Sequence, residues 1–216
     1  MYVQTRKIKP TRRSVSGIFA FRALDSIPFE STLERDFLYR AEFDQRVTKI
    51  IPQPTKIPFV SSNGRSYTYT PDFLVYYSNR NPLLVEVKPR EEIQENWSKF
   101  KHKFKFGLRY AKERDWDFRI YDESRIRGQA LANIKFLQPY KRTDVAPELT
   151  EAVVKSLQLF GPMSIHDLLV QNNLSSDSLF DEAQLWHLLS TKLLVCDMDQ
   201  LLTEHTVVWT TQLIAS

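Results

Sequence analysis

The chain has 216 residues, of which 42% are hydrophobic and 26% are charged, with only five glycines. This composition supplies enough apolar side chains for a core and excludes an intrinsically disordered chain. No apolar run approaches the ~18 residues of a membrane span, and the N-terminus lacks the apolar stretch of a secretory signal, so a cytoplasmic protein without a membrane partner is expected. The one cysteine, Cys196, excludes an internal disulfide.

The net charge of +4 is unevenly distributed along the chain. Residues 1–143 carry 28 Lys and Arg against 16 Asp and Glu, whereas residues 144–216 carry 2 against 10. The first part therefore favours a polyanionic partner, and the second part does not.

A basic N-terminal arm is expected over residues 1–24. Its first thirteen residues contain five basic side chains and no acid: Arg6, Lys7, Lys9, Arg12 and Arg13. Such a segment is typical of a flexible arm that becomes ordered against DNA phosphates or a partner protein, and equally of a plain solvated tail.

Residues 28–41 have the spacing of an amphipathic helix, with Leu33, Phe37 and Leu38 on one stripe. Glu34 borders that stripe, which makes it a candidate for a catalytic acid. Ser31 and Glu34 also match a capping box, so the helix N-terminus alone explains Glu34 equally well.

The most informative stretch is Tyr-Thr-Pro-Asp-Phe-Leu-Val at 69–75, followed after a turn by Val-Glu-Val-Lys-Pro at 85–89. Strand-forming residues at 66–77 and 83–88 predict a β-hairpin. Asp72 would then lie opposite Glu86 to Lys88, within roughly 5–8 Å between Cβ atoms.

Two carboxylates that close suit a hard cation such as Mg²⁺. The cation would activate a water and neutralise phosphate charge, while Lys88 stabilises the developing oxyanion or orients the water. The pattern therefore favours cleavage of a phosphodiester. The structural alternative is a surface hairpin whose Asp72, Glu86 and Lys88 form a cross-strand salt bridge.

Residues 91–114 predict one amphipathic helix that packs on the sheet. Its apolar positions are Ile93, Trp97, Phe100, Phe104, Leu108 and Ala111, and the lysines beside them are Lys99, Lys101, Lys103 and Lys105. These lysines either contact phosphates next to the scissile bond or form a solvated rim. A strand at 117–122 and a helix at 127–137 complete a mixed sheet flanked by helices.

A polar linker at 138–147 predicts a second domain over residues 145–216. Helices are expected at 148–160, 164–171 and 178–190, followed by strands at 193–196 and 202–209. Three helices and a hairpin resemble a winged helix.

The acids Asp181, Asp197 and Asp199 would repel DNA from this second domain. A protein partner is therefore expected, bound either near an exposed Trp186 or along the acidic edge. The alternative for Trp186 is a place in the core.

Together, Glu34, Pro71-Asp72 and Glu86-Val87-Lys88 resemble the PD-(D/E)xK nuclease fold. With Ser-Thr-Leu-Glu-Arg-Asp-Phe-Leu at 31–38, the chain is closely similar to the TnsA endonuclease family of heteromeric cut-and-paste transposons. The resemblance implies an α/β (α+β) fold, a restriction-endonuclease-like mixed sheet flanked by helices over residues 25–140, with a small winged-helix-like C-terminal domain.

The resemblance also implies a site. Its catalytic residues would be Glu34, Asp72, Glu86 and Lys88. Mg²⁺, replaceable by Mn²⁺, would be held by Glu34, Asp72, Glu86 and the Val87 carbonyl. The family can carry Gln where this chain has Glu86.

The implied activity is cleavage of the 5′ strands of double-stranded DNA at transposon ends. The implied partners are a DDE transposase subunit (TnsB-like), which cuts the 3′ strands, and an ATP-dependent regulator (TnsC-like) bound by the C-terminal domain. A bacterial cytoplasmic protein, associated with the nucleoid when assembled on DNA, is expected. A stand-alone restriction or repair nuclease and a non-catalytic transposition adaptor are the alternatives.

Overall fold

The computed structural model describes residues 15–60, 64–174 and 179–210. The chain divides into two compact units, residues 1–127 and 128–216. This division precedes the linker expected at 138–147, and the helix predicted at 127–137 falls in the second unit. The five basic residues predicted to contact DNA from the arm, Arg6, Lys7, Lys9, Arg12 and Arg13, lie outside the described residues.

The first unit contains a mixed four-stranded sheet and two separate hairpins. Its elements are β1 (Gly17–Phe21), β2 (Asp25–Phe29), α1 (Thr32–Phe43), β3 (Val47–Pro52), β4 (Ile57–Val60), β5 (Ser66–Tyr69), β6 (Phe73–Tyr77), β7 (Leu83–Val87), α2 (Arg90–Glu95), α3 (Trp97–Lys112), β8 (Asp117–Tyr121) and α4 (Glu123–Ile126). The sheet order is β3-β6-β7-β8. β7 pairs antiparallel with β6 and parallel with β8, and the parallel pair is joined by the helical crossover that such pairing requires.

Strand β7 is buried at all five positions because both faces of the sheet are covered. On one face, Phe37 of α1 stacks on Phe73 with ring centroids 5.5 Å apart. On the other face, Leu74 and Leu84 pack with Tyr69 of β5 and Ala111 of α3. The mixed sheet flanked by helices is therefore confirmed.

The single strand predicted at 66–77 is wrong in one respect. Residues 66–69 form β5, which pairs with β4, whereas β6 begins at Phe73 and pairs with β7. The interruption falls at Pro71, which lacks the N–H that a strand needs. The register of β6 and β7 pairs Phe73 with Val85, so Asp72 lies beside Glu86 as the spacing predicted.

The single helix predicted at 91–114 is also wrong, because Asn96 separates α2 from α3. Trp97 and Leu108, expected in the core, are 50% and 54% exposed. The buried face of α3 instead contains Gly107, where a Cβ atom would lie 2.8 Å from Tyr69 Cε1. The small residue lets the helix approach the sheet closely, and this contact decides which face is buried.

The hairpin β1–β2 was not predicted from the sequence, and it overlaps the N-terminal arm expected over residues 1–24. Its buried side chains, Phe19, Phe21, Ile27 and Phe29, alternate along both strands as in a sheet with one covered face. Residues 17–24 are therefore part of the folded unit.

The second unit contains the three helices predicted after residue 145 and the strand predicted at 193–196, each within one residue of its expected bounds. The strand predicted at 202–209 is wrong in its start, because the observed strand begins at Val207. Its elements are α5 (Gln129–Leu137), a 3-10 helix (Pro139–Arg142), α6 (Pro147–Phe160), β9 (Met163–Ser164), α7 (Ile165–Gln171), α8 (Leu179–Ser190), β10 (Leu194–Cys196) and β11 (Val207–Thr210). The hairpin β10–β11 is extended by the short strand β9, in the order β10-β11-β9. Burial raises the pKa of the Cys196 thiol to about 11, so this residue is a structural thiol.

Trp186 is a core residue of the second unit, so the prediction of an exposed binding surface around it is wrong. It is 2% exposed and packs edge-on against Phe136, with ring centroids 5.3 Å apart. Its neighbours Leu185, Leu188 and Leu189 are buried too, which makes α8 a central helix. Asp197 and Asp199 remain exposed. None of the helices in the described ranges combines the length and apolar character needed to span a bilayer.

Candidate active site

Asp72 links three strands at the centre of the first unit. Its N–H donates to Val85 O at 3.0 Å, and its carbonyl accepts from Gln53 N at 2.7 Å. Its carboxylate Oδ2 accepts a hydrogen bond from Val87 N at 2.7 Å. Burial, and then the charges of Glu86 and Glu34, raise the pKa of Asp72 well above its usual range. The structure therefore holds this carboxylate rigidly in a place where negative charge is crowded.

Glu86 is the second carboxylate, and the protein donates a hydrogen bond to each of its oxygens. Lys103 Nζ lies 2.7 Å from Oε1, and Tyr69 OH donates to Oε2 at 2.8 Å. The residue is only 2% exposed. Burial and the charge of Glu86 raise the pKa of Tyr69 well above its usual value, so the phenol stays a donor.

Lys88 directly follows β7, and its backbone N–H donates to Tyr121 O at 3.0 Å. Its ammonium lies 3.8 Å from Glu92 Oε1, with a quarter of the side chain exposed. Burial lowers the pKa of Lys88, but the charges of Glu86 and Asp72 outweigh burial and raise the pKa overall. Lys88 is therefore a cation at neutral pH and suits charge stabilisation better than proton abstraction.

Glu34 lies at the N-terminus of α1, where the predicted capping box is confirmed and the role of a catalytic acid stays a prediction. Ser31 Oγ accepts from Glu34 N at 3.1 Å, and Glu34 Oε2 accepts from Glu30 N at 2.8 Å. The carboxylate therefore serves the cap. It also lies close enough to Asp72 for its charge to raise the pKa of Asp72. Burial raises the pKa of Glu34 itself.

The residues present fit a divalent cation held by few protein ligands. No group of three or more His, Cys, Asp and Glu side chains that could hold a metal together occurs in residues 15–60, 64–174 and 179–210. Mg²⁺ is commonly bound through one or two carboxylates, with water and substrate phosphate completing its shell. Asp72 and Glu86 are such a pair, and their mutual repulsion favours a cation between them.

The four helix lysines expected beside DNA are not equivalent. Lys99, Lys101 and Lys105 are exposed on α3, and their contact with phosphate stays a prediction. The side chain of Lys103 turns inward to Glu86 instead.

Tyr69 and Gln53 belong to the site but were missed as site residues. Lys103 was expected to contact DNA or to form a solvated rim, and its contact with Glu86 was missed. Tyr69 stands within the same Tyr-Thr-Pro-Asp run as Asp72. Lys103 stands three residues after Phe100 and four before Gly107, a helical spacing that places it on the packed face. Gln53 carries no signal in the sequence, because its role is a backbone hydrogen bond made at a positive φ of 43°.

A mixed sheet in which an aspartate precedes one strand and a Glu-x-Lys ends its neighbour defines an endonuclease fold of the restriction-enzyme type. Two family models match the chain: TnsA-like endonuclease N terminal over residues 44–123, and TnsA endonuclease C terminal over residues 125–198. The chain belongs to the TnsA endonuclease family, the endonucleases of transposons. A search of curated proteins gave no match.

Proposed function

We propose that this protein is a metal-dependent DNA endonuclease that cuts the 5′ strands at transposon ends, together with a DDE transposase that cuts the 3′ strands. The observation that carries the proposal is the buried pair Asp72 and Glu86 beside the cationic Lys88. Two carboxylates this close repel each other, so binding a cation lowers their electrostatic energy. Lys88 would then be available to stabilise negative charge on a phosphate.

The metal, Mg²⁺ or Mn²⁺, would be held by Asp72, Glu86 and the Val87 carbonyl, with Glu34 as a further acid close by. When bound, the ion supplies a water of lowered pKa and neutralises phosphate charge. Val87 N–H keeps the Asp72 carboxylate in one orientation, and Tyr69 does the same for Glu86. Lys88 stabilises the charge that develops on the phosphate as the bond to the leaving 3′ oxygen breaks.

The first unit has the positive net charge that binding to DNA phosphates requires. Residues 1–127 carry 25 Lys and Arg against 16 Asp and Glu, a net charge of +9. The exposed Lys99, Lys101 and Lys105 on α3, which lies next to the Glu86 site, would bind the phosphate backbone, and the basic arm would add contacts.

The second unit would bind protein rather than DNA. Residues 128–216 carry 5 Lys and Arg against 10 Asp and Glu, a net charge of −5. With Trp186 in the core, the acidic edge around Asp197 and Asp199 is the surface left for the ATP-dependent regulator.

A strand-resolved cleavage assay on labelled transposon-end DNA tests the proposal, with and without the partner transposase. Asp72→Ala should abolish 5′-strand cleavage in Mg²⁺ because it removes one of the two central carboxylates. Asp117→Ala, which removes an exposed acid from β8 of the same sheet, is the matched control and should cut like wild type.

The other outcomes separate the alternatives. Cleavage by the wild type without a transposase would indicate a stand-alone nuclease. Absence of cleavage by the wild type under all conditions would indicate an adaptor. Equal cleavage by Asp72→Ala and wild type would place the active site elsewhere.

A further inference from the structure

Lys103 of α3 was expected to contact DNA phosphates or to form a solvated rim, but its side chain lies inside the candidate site. Its ammonium lies 2.7 Å from Glu86 Oε1, and its side chain is only 20% exposed. The same ammonium lies 4.5 Å from the ring centroid of Phe100, 5.0 Å from that of Phe104 and 5.2 Å from that of Tyr69. Aromatic faces attract a cation, so three rings and one carboxylate fix its place.

This position puts Lys103 in competition with any cation that binds Glu86. Oε1 of Glu86 bonds to Lys103, and Oε2 bonds to Tyr69. A divalent ion that approaches Glu86 must therefore share Oε1 with Lys103, share Oε2 with Tyr69, or displace one of these two donors. In each case it is repelled by the positive charge of Lys103 beside the same carboxylate.

We propose that Lys103 is an internal counter-ion: it holds the Glu86 carboxylate in place before metal binds and weakens the affinity of the site for a divalent cation. The inference rests on the proposed metal-dependent function. It makes Lys103 a positioning residue that acts through Glu86, in contrast to Lys88.

The balance of charge explains why such a residue is needed. Glu34, Asp72 and Glu86 are crowded enough for Glu86 and Glu34 to raise the pKa of Asp72. Removing one partner of a buried ion pair leaves the other charge uncompensated, which is strongly destabilising. In the protein without metal, Lys103 supplies the positive charge that compensates Glu86. The same charge lowers the affinity of the site for a divalent ion.

Direct Mn²⁺ binding to the 216-residue chain without DNA, measured by isothermal titration calorimetry, tests the inference independently of cleavage. Lys103→Met should bind Mn²⁺ about tenfold more tightly than wild type, because the competing charge is gone. Lys112→Met, which removes an exposed lysine from the same helix, should bind like wild type. In a Glu86→Gln background the gain from Lys103→Met should fall below about threefold, since the carboxylate that couples the two cations is absent.

Thermal unfolding separates this role from that of a simple structural brace. Lys103→Met should lower Tm without metal, and saturating Mn²⁺ should restore most of the loss because the ion replaces the missing counter-charge. A brace would lower Tm equally with and without Mn²⁺, and that result would overturn the inference. If Lys103→Met does not fold, Lys103→Gln removes the charge while retaining a donor for Glu86, and the same expectations apply to it.

Mn²⁺ binding by Asp72→Ala distinguishes a failure of the counter-ion role from a failure of the proposed metal site. If Asp72→Ala abolishes Mn²⁺ binding while Lys103→Met leaves the affinity unchanged, the counter-ion role is wrong and the metal site stands. If Asp72→Ala binds Mn²⁺ like wild type, the metal site itself is wrong, and the role of Lys103 falls with it.

Discussion

Asp72 shows how far single residues could be read from the sequence. The spacing predicted that Asp72 lies beside Glu86, and the register of β6 and β7 confirms this. The prediction was possible because a hairpin with a short turn has few possible registers. The sequence did not indicate that the Asp72 carboxylate accepts a hydrogen bond from Val87 N, or that Glu86 is held by Lys103. Those contacts depend on side-chain directions that only packing determines.

Replacing Asp72 by Asn should stabilise the metal-free protein at neutral pH. The folded-state pKa of Asp72 is raised by burial and by the charges of Glu86 and Glu34. The folded protein therefore binds this proton more tightly than the unfolded chain, so stability falls as pH rises from the usual pKa of Asp to the raised one.

Asn carries no charge to lose, so the Tm advantage of Asp72→Asn should grow across that pH window and stay constant above it. Thermal unfolding in EDTA from pH 4 to pH 8 measures this advantage, with about 2–4 °C expected for each kcal/mol gained. Asp117→Asn, at an exposed position, should leave Tm unchanged. A lower Tm for Asp72→Asn at pH 8 would contradict the expectation.

Replacing Gly107 by Ala should destabilise the first unit. The new Cβ would lie 2.8 Å from Tyr69 Cε1 and 3.1 Å from Phe118 Cε2, so a ring or the helix must move. Overpacking of this kind costs roughly 1–3 kcal/mol, partly offset by about 1 kcal/mol of better helix propensity.

Urea unfolding gives the stability change at Gly107, and cleavage should fall as well because Tyr69 holds Glu86. Ser98→Ala, at an exposed position of α3, is the control for helix propensity alone. It should leave the free energy of unfolding unchanged or raise it slightly. Equal or greater stability of Gly107→Ala would show that the contact relaxes without cost.

At the scale of elements, the sequence predicted the helix α1 and the strands β6, β7 and β8 well, because each has a strong local pattern. It failed where tertiary contacts override that pattern. Asn96 divides the helix predicted at 91–114, and residues 66–69 pair with β4, a strand that the sequence analysis did not identify. A pairing between segments that are separated along the chain leaves little trace in either segment.

The N-cap of α1 links element stability to the site. Ser31→Ala should cost about 1 kcal/mol of stability because the Glu34 N–H loses its acceptor. It also removes the hydrogen bond from Ser31 Oγ to Glu34 Oε1, so cleavage should fall if Glu34 contributes to the site.

Ser164→Ala is the matched control for the cap. Ser164 caps α7 in the second unit by accepting from Asp167 N at 3.0 Å, so its loss should cost similar stability without changing cleavage of DNA by the first unit. Thermal unfolding and the cleavage assay together make the comparison. Equal cleavage by Ser31→Ala and Ser164→Ala would limit Glu34 to a capping role.

At the scale of the whole molecule, the division at residue 127 separates opposite charges. The polypeptide of residues 1–127 should bind duplex DNA with an affinity that falls steeply with salt, because its Lys and Arg release counterions from the phosphates. The polypeptide of residues 128–216 should not bind measurably. Fluorescence anisotropy from 50 to 300 mM KCl checks both expectations, and DNA binding by the acidic unit alone would reverse the proposed division of labour.

The sequence by itself determined the class of fold, the presence of a second compact unit, the uneven charge and the proximity of Asp72 to Glu86. These follow from local periodicity, composition and the register of one hairpin, which are properties of neighbouring residues. The tertiary structure decided that Trp186 is core, that the buried face of α3 includes Gly107, and that Lys103 turns toward Glu86. Each of these depends on which distant surface covers a side chain, and local spacing carries no information about that surface.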